Sequence, residues 1–381
     1  MKLKLVADEN IPAVRHYLGS LCDISLVNGR ALNRVALLDA DALLVRSVTR
    51  VDEQLLAETG VGFVGSATSG TDHMDQLWLK QAGITFCHAP GSNANSVVEY
   101  VLAAVAATGK TLERLLVSGR VGIVGYGRVG AALAARLQAL GINWCAYDPL
   151  LAEGEIPQPA SLEQVLLCDL ICLHPELTHD GPWPSYHVIG SAQCESLGSH
   201  QLLINASRGA VIDNHALLQR LGRSLPPAVV LVVWEHEPGF DPELLRQVHI
   251  GTAHIAGYSL PGKLMGTSML CHAAARATGL VLAAASPEDT TGVLAAGDSL
   301  DGAALVRSLL RATYAIQDDD AALRAALEGA RPQALGERFD RLRRDYPERG
   351  ELKGRSVRCS FRQRPWIEAL GCRPIMTGES G

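Results

Sequence analysis

Short apolar runs alternate with segments of helical period from the start of the chain. Leu3–Ala7, Ala42–Val45 and Gly62–Gly65 read as strands, with Asp52–Ala57 helical between two of them. This alternation predicts a parallel sheet with helices on both faces. From about Asn95, the residues Val97, Val98, Val101, Leu102 and Val105 recur at helical spacing and predict a long helix. A second α/β series begins at Val121, with strands expected near Val121–Val124, Trp144–Tyr147, Leu170–Leu173, Leu202–Asn205 and Val229–Trp234. That is the pattern of a doubly wound domain. Around Ser286 to Asp301 it dissolves into Pro, Gly, Asp and Ser, and the remainder is richer in Arg, Asp and Glu. A linker and a small third domain are expected there.

Composition narrows the function classes. With 381 residues, 48% of them apolar, the chain can bury more than one core. A net charge of -6 offers no basic face to a phosphate backbone, so nucleic acid is excluded as an expected partner. The longest apolar stretches, Val97–Ala107 and Ala228–Trp234, are too short to span a membrane, and Met1–Asn10 does not read as a secretory signal. The nine cysteines show no paired-doublet zinc spacing, and Cys168 and Cys172 bracket an apolar run. They read as reduced thiols of a soluble, cytoplasmic protein. Asp72, His73 and Asp75 lie close in sequence, but at an expected helix start, where acids suit the dipole; no metal is expected.

Gly125, Gly127 and Gly130 form G-x-G-x-x-G directly after an apolar strand and directly before the helical pattern Val129–Leu140. In that context the first glycine allows the tight turn, the second admits a pyrophosphate to the backbone, and the third lets helix pack on strand. Arg128 adds a cation at the helix start. Asp148 closes the next strand, where a carboxylate accepts from ribose hydroxyls and repels a 2′-phosphate, so NAD is favoured over NADP. The competing reading is a purely structural turn with Asp148 as a cap.

Three further segments follow strands: Asn205-Ala-Ser-Arg208-Gly209, Trp234-Glu-His-Glu237-Pro238 and Thr252-Ala-His254-Ile-Ala-Gly-Tyr258. Taken singly, Arg208, Glu237 and His254 have ordinary structural explanations. Together, in these contexts and this order, they resemble the D-isomer-specific 2-hydroxyacid dehydrogenases, and the resemblance extends through about Leu280. It implies a flavodoxin-like substrate domain (residues 1–94 and 257–284), a Rossmann-type NAD-binding domain (95–256) and, beyond them, a small α+β C-terminal dimerisation domain (287–381). It also implies roles. His254 would accept the hydroxyl proton, since a histidine ordinarily titrates near pH 6.5. Glu237 would orient the imidazole and favour its protonated form, and Arg208 would hold the substrate carboxylate and 2-oxygen. Gly125, Gly127, Arg128, Val129, Gly130, Asp148, Pro175, Ala206, Ser207, Arg208, Val232 and Gly257 would line the cofactor site.

Val45–Thr49, Gly65–His73, Gly91–Tyr100, Ile250–Tyr258 and the tail segments Asp318–Leu323 and Arg338–Pro347 resemble a member of this family that acts on a small phosphorylated hydroxy acid and works as a homodimer. By that resemblance Ser47, Thr68 and Tyr258 contact substrate, and Arg46 is an added candidate for the phosphate. Two positions depart from the family pattern. Val232 stands where Asp is usual, and Pro175 where Thr is usual, so weaker NAD binding is expected. Two alternatives stay open: another D-2-hydroxyacid dehydrogenase of phosphoglycerate or hydroxypyruvate type, and a non-catalytic dinucleotide-sensing protein.

Overall fold

The structure is a computed structural model, and it describes residues 2–282, 292–329 and 331–377. The chain divides into two compact units, Met1–Asn93 with Ser259–Thr290, and Ala94–Tyr258 with Thr291–Gly381.

In the first unit β1 (Leu3–Asp8), β2 (Cys22–Val27), β3 (Ala42–Val45), β4 (Phe63–Ser66) and β5 (Thr85–His88) form one parallel sheet in the order β2-β1-β3-β4-β5. This is the flavodoxin-like order. The central strand β3 shows why it reads as a continuous apolar run. Ala42 and Leu44 join the core on one face, beside Leu270 and Ala274 of the long helix Leu260–Thr278. Leu43 and Val45 join the core on the other, beside Leu37 and Leu79. The outer strands β2 and β5 escaped the sequence reading because each is covered on only part of its surface and lacks such a run.

The second unit carries a six-stranded parallel sheet: β6 (Arg120–Val124), β7 (Asn143–Tyr147), β8 (Leu170–Leu173), β9 (Leu202–Asn205), β10 (Ala228–Leu231) and β11 (Ile250–Gly251), ordered β11-β10-β9-β8-β6-β7. The chain leaves β6 in one direction to β7 and returns on its other side to β8, so the switch point lies between β6 and β8. Helices α1 (Ala94–Ala107) and α2 (Arg128–Ala139) share the core of one face. Helix α3 (Asn214–Leu221) packs into the core of the other. The apolar run that suggested a strand to Trp234 outlasts β10 by three residues. Trp234 instead stacks on Phe240 at 4.2 Å and donates its indole N–H to the Thr252 carbonyl.

The C-terminal part of this unit contributes helices α4 (Gly302–Thr313), α5 (Ile316–Leu327) and α6 (Pro332–Arg344) and a small parallel sheet, β12 (Leu294–Ala295), β13 (Ser356–Cys359) and β14 (Arg373–Met376). It is bound to the nucleotide-fold part by buried and half-buried polar contacts. Asp320 takes the Gly251 N–H on the outermost strand β11, and Arg324 donates to the carbonyls of Leu245 and Val248. Arg349 donates to the Ala256 carbonyl, and Glu99 of α1 accepts the N–H groups of Leu352 and Lys353. The first of these covers a sheet edge that would otherwise be open.

Candidate active site

The glycine loop sits at the switch point. Gly125 has φ +87, and a Cβ there would lie 2.6 Å from the backbone nitrogen of Pro175, so the turn closes directly against the end of β8. On Gly130 a Cβ would meet the Gly125 carbonyl oxygen at 2.1 Å, which explains the third glycine as a packing requirement. Gly127 differs: nothing lies within 4 Å of its Cβ position, and it caps α2 without any side-chain hydrogen bond. An open backbone at the N-terminus of a 12-residue helix, flanked by Arg128 and Val129, fits a pyrophosphate. Asp148 accepts the Tyr126 N–H at 2.9 Å through one oxygen and the Leu150 N–H at 3.1 Å through the other. It therefore ties the glycine loop to the end of β7 and keeps lone pairs for further donors. These residues fit NAD.

At the adjacent strand ends, β9 leads to Arg208, β10 to Glu237 and β11 to His254. Asn205, fully buried at the end of β9, organises the first loop: it accepts from the backbone and hydroxyl of Ser207 and donates to the Arg208 carbonyl at 2.9 Å. Ala206 continues the ladder through a hydrogen bond to the Leu173 carbonyl. Val232 donates to the Asn205 carbonyl at 3.1 Å and accepts the His254 N–H at 2.8 Å, so all three loops share one backbone rail. Its side chain is 1% exposed and joins the apolar core. No polar group stands at this position.

His254 lies in the left-handed region, φ 55, and turns its Nδ1 to Glu237 Oε2 at 2.8 Å. The other Glu237 oxygen accepts the Trp234 N–H at 2.8 Å. Burial alone would raise the Glu237 pKa; the adjacent imidazole, the Trp234 N–H and the nearby Arg343 guanidinium outweigh it and hold the group below the ordinary carboxylate value. Glu237 is thus a fixed anion behind the imidazole, and with Nδ1 engaged, Nε2 is the nitrogen left for a substrate proton.

The four substrate candidates divide between the units. Arg46 and Ser47 follow β3, and Thr68 follows β4, on the same carboxyl edge of the first sheet. Thr68 shares a hydrogen bond with Ser66 at 2.7 Å and donates to the Gly70 carbonyl. In the second unit Tyr258, just beyond Gly257, packs edge-on against Tyr346 at 5.8 Å. His73 pairs with Ser66 and Asp75 caps the following helix, the structural role expected of that segment.

Sequence reasoning missed a second layer. His187 Nε2 meets Glu235 Oε1 at 2.8 Å, and Glu235 in turn accepts the Asn214 N–H while donating its own N–H to Asn214 Oδ1. Asn214 also reaches the Gly209 carbonyl. This clasp joins the Arg208 loop to the Glu237 loop. His187, Asp213 and Glu235 have donor atoms within 4.8 Å of one another, but both Glu235 oxygens and one Asp213 oxygen are already engaged, and the ring spans the two carboxylates instead of pointing one nitrogen between them. A glutamate and an asparagine beside the motif residues were the available signals; nothing marked His187.

Comparison with known proteins decides the family. The chain is 46% identical over 376 residues to the erythronate-4-phosphate dehydrogenase of Marinobacter nauticus, covering 94% of this chain and 97% of that one. It is 43% identical over 382 residues to that of Cellvibrio japonicus, covering 98% and 100%. The chain belongs to the erythronate-4-phosphate dehydrogenase family. The Escherichia coli K12 member is 42% identical, with 94% of each chain covered. Residues 99–256 match the D-isomer specific 2-hydroxyacid dehydrogenase, NAD binding domain, and residues 287–371 match a domain of unknown function (DUF3410). Among solved structures, a D-lactate dehydrogenase from Aquifex aeolicus complexed with NAD and lactic acid has a TM-score of 0.58 at 21% identity, covering 72% of this chain and 96% of that one. The NADPH-dependent glyoxylate/hydroxypyruvate reductase of Sinorhizobium meliloti has 0.60 at 20%, covering 74% and 96%. These share the fold. The family is one of NAD-dependent oxidoreductases, and the α/β class expected from the strand pattern holds.

Proposed function

We propose that this chain oxidises the C2 hydroxyl of 4-phospho-D-erythronate to 2-oxo-3-hydroxy-4-phosphobutanoate, with hydride passing to NAD, as a step of pyridoxal 5′-phosphate biosynthesis. The observation that carries this reading is the Glu237–His254 pair at 2.8 Å in a chain 46% identical to an erythronate-4-phosphate dehydrogenase.

NAD supplies the hydride acceptor, and Gly125, Gly127, Gly130, Arg128 and Asp148 are the residues suited to hold it. The chain supplies the rest. His254 Nε2 takes the C2 hydroxyl proton as the carbonyl develops, Glu237 fixes the ring and balances the imidazolium charge, and Arg208 holds the substrate carboxylate so that C2 faces the acceptor. Arg46, Ser47, Thr68 and Tyr258 serve the remainder of the substrate in this reading.

Initial rates of NAD reduction with 4-phospho-D-erythronate, D-3-phosphoglycerate and D-glycerate, repeated with a 2-oxo acid as electron acceptor, test it. Preference for the first is expected. Preference for another acid keeps the chemistry and rejects the substrate, and silence with all three despite NAD binding favours a dinucleotide-sensing role.

We also propose a cytoplasmic homodimer formed through the C-terminal part. The exposed apolar side chains of Phe361, Ile375 and Met376 on and beside its small sheet support the dimer, and nine unpaired cysteines support a reducing compartment. Among the described residues no helix is long and apolar enough to cross a membrane. Sedimentation equilibrium at about twice the monomer mass is expected.

A further inference from the structure

We infer that Arg343, delivered by helix α6 of the C-terminal part, is a specificity-determining residue that receives the terminal phosphate of the substrate. This rests on the reading of the substrate as a phosphorylated hydroxy acid, and it assigns the C-terminal part a place in substrate recognition.

Arg343 differs from the arginines that fasten this segment to its neighbours. Arg307, Arg324, Arg338 and Arg349 each bring a donor to a carbonyl or carboxylate oxygen at 2.6 to 2.8 Å, and so act as anchors. Arg343 anchors nothing at such a distance. Its Nη2 lies 3.4 Å from the Tyr258 hydroxyl, at the long limit of a hydrogen bond, and its Nη1 lies 3.8 Å from Asp340 Oδ1. Its Nε is shut off from solvent without a hydrogen-bond partner. The side chain is 20% exposed.

A largely buried guanidinium with five donors and only long contacts is costly unless another acceptor reaches it. Its surroundings say what that acceptor is. Tyr258, whose hydroxyl it reaches, belongs to the segment that carries His254, and the charge of Arg343 lowers the pKa of Glu237, the partner of His254. A ligand seated at His254 and Tyr258 therefore comes within reach of this cation. Arg208 is committed in our reading to the carboxylate at one end of the substrate. The planar fork of Arg343 matches an oxyanion at the other end, and a phosphate offers the paired oxygens that such a fork prefers.

The test compares kcat/KM for 4-phospho-D-erythronate and for D-erythronate in the parent, Arg343→Met and Arg343→Lys, with full-length enzyme at saturating NAD. In Arg343→Met the preference for the phosphorylated acid falls about 10- to 100-fold, mainly through KM, and Arg343→Lys recovers part of it. In parallel, inorganic phosphate inhibits the parent competitively, and its inhibition constant rises in Arg343→Met. Equal proportional losses on both acids, with unchanged inhibition by phosphate, would make Arg343 a packing residue and overturn the inference. Should the parent prefer D-3-phosphoglycerate, the same ratio is read against D-glycerate: the substrate reading then fails, and Arg343 is judged on its own result. A parent that prefers an unphosphorylated acid overturns both.

Discussion

Gly209 lies so close to Trp234 that a Cβ added to it would stand 1.9 Å from the Trp234 carbonyl carbon. The obstacle is backbone, which cannot swing aside as a side chain can. The loop that presents Arg208 is thus pressed onto the loop that presents Glu237, and the Asn214–Glu235 hydrogen bonds clasp the two from the side. Gly209→Ala is expected to cost about 1 to 3 kcal/mol or more in stability. It should also lower kcat/KM by more than the loss of folded protein accounts for. Urea unfolding with initial rates on the same samples checks both; a fully active Gly209→Ala enzyme would contradict the packing argument.

The Glu237–His254 pair makes a prediction about turnover rather than binding. Removal of a positioned general base typically costs about 100- to 10,000-fold, and His254→Ala should lose that much in kcat while still binding NAD. Glu237→Gln keeps an acceptor for Nδ1 but not the charge that balances an imidazolium, so its loss should be real and smaller. Single-turnover NADH formation, with NAD binding measured by calorimetry, separates the two steps. Retained turnover in His254→Ala would remove the histidine from the chemistry.

How much of this was legible beforehand depends on the range over which each residue is held in place. The central strands could be read because both faces are buried, as Leu43 and Leu44 show on β3, whereas the half-covered β2 and β5 could not. The glycine loop, Arg208, Glu237 and His254 could be found because each sits in a short motif next to a strand end, where its position follows from local chain geometry. Asn205 was visible in one such motif, yet its role as a hub appears only when its three hydrogen bonds are seen. Nothing local marked His187, and Arg343 lay within the resembling segment Arg338–Pro347 without a role of its own, because what brings them to Glu235 and Tyr258 is the packing of segments far apart in sequence.

Arg324 ties α5 to the sheet edge from which the His254 loop departs. It donates to the Leu245 carbonyl at 2.7 Å and the Val248 carbonyl at 3.0 Å, and pairs with Asp320, whose other oxygen takes the Gly251 N–H. Arg324→Ala leaves two carbonyls without this donor and frees Asp320 from its partner. A loss of about 2 kcal/mol is expected, read as a lower midpoint in thermal unfolding. Amide exchange of Gly251 should accelerate along with it. An unchanged melting curve would mean that the C-terminal part is held without this contact.

His174 links acid pH to stability. It directly follows β8 beside the glycine loop, and both of its ring nitrogens are shut off from solvent without a hydrogen-bond partner of normal geometry. Burial pulls its pKa down to about 4, an effect the nearby Ala206 backbone offsets only in part. In the unfolded chain the ring protonates near pH 6.5. Between these values the unfolded state binds the additional proton, so stability is retained above about pH 6.5 and lost progressively as the pH falls toward 4. The difference amounts to about 2 kcal/mol at pH 5. Urea unfolding of the NAD-free protein at about pH 7 and about pH 5 should show this loss, and His174→Leu, which cannot titrate there, should show a smaller one by about that amount. Equal pH sensitivity in the two proteins would assign the acid lability to other groups.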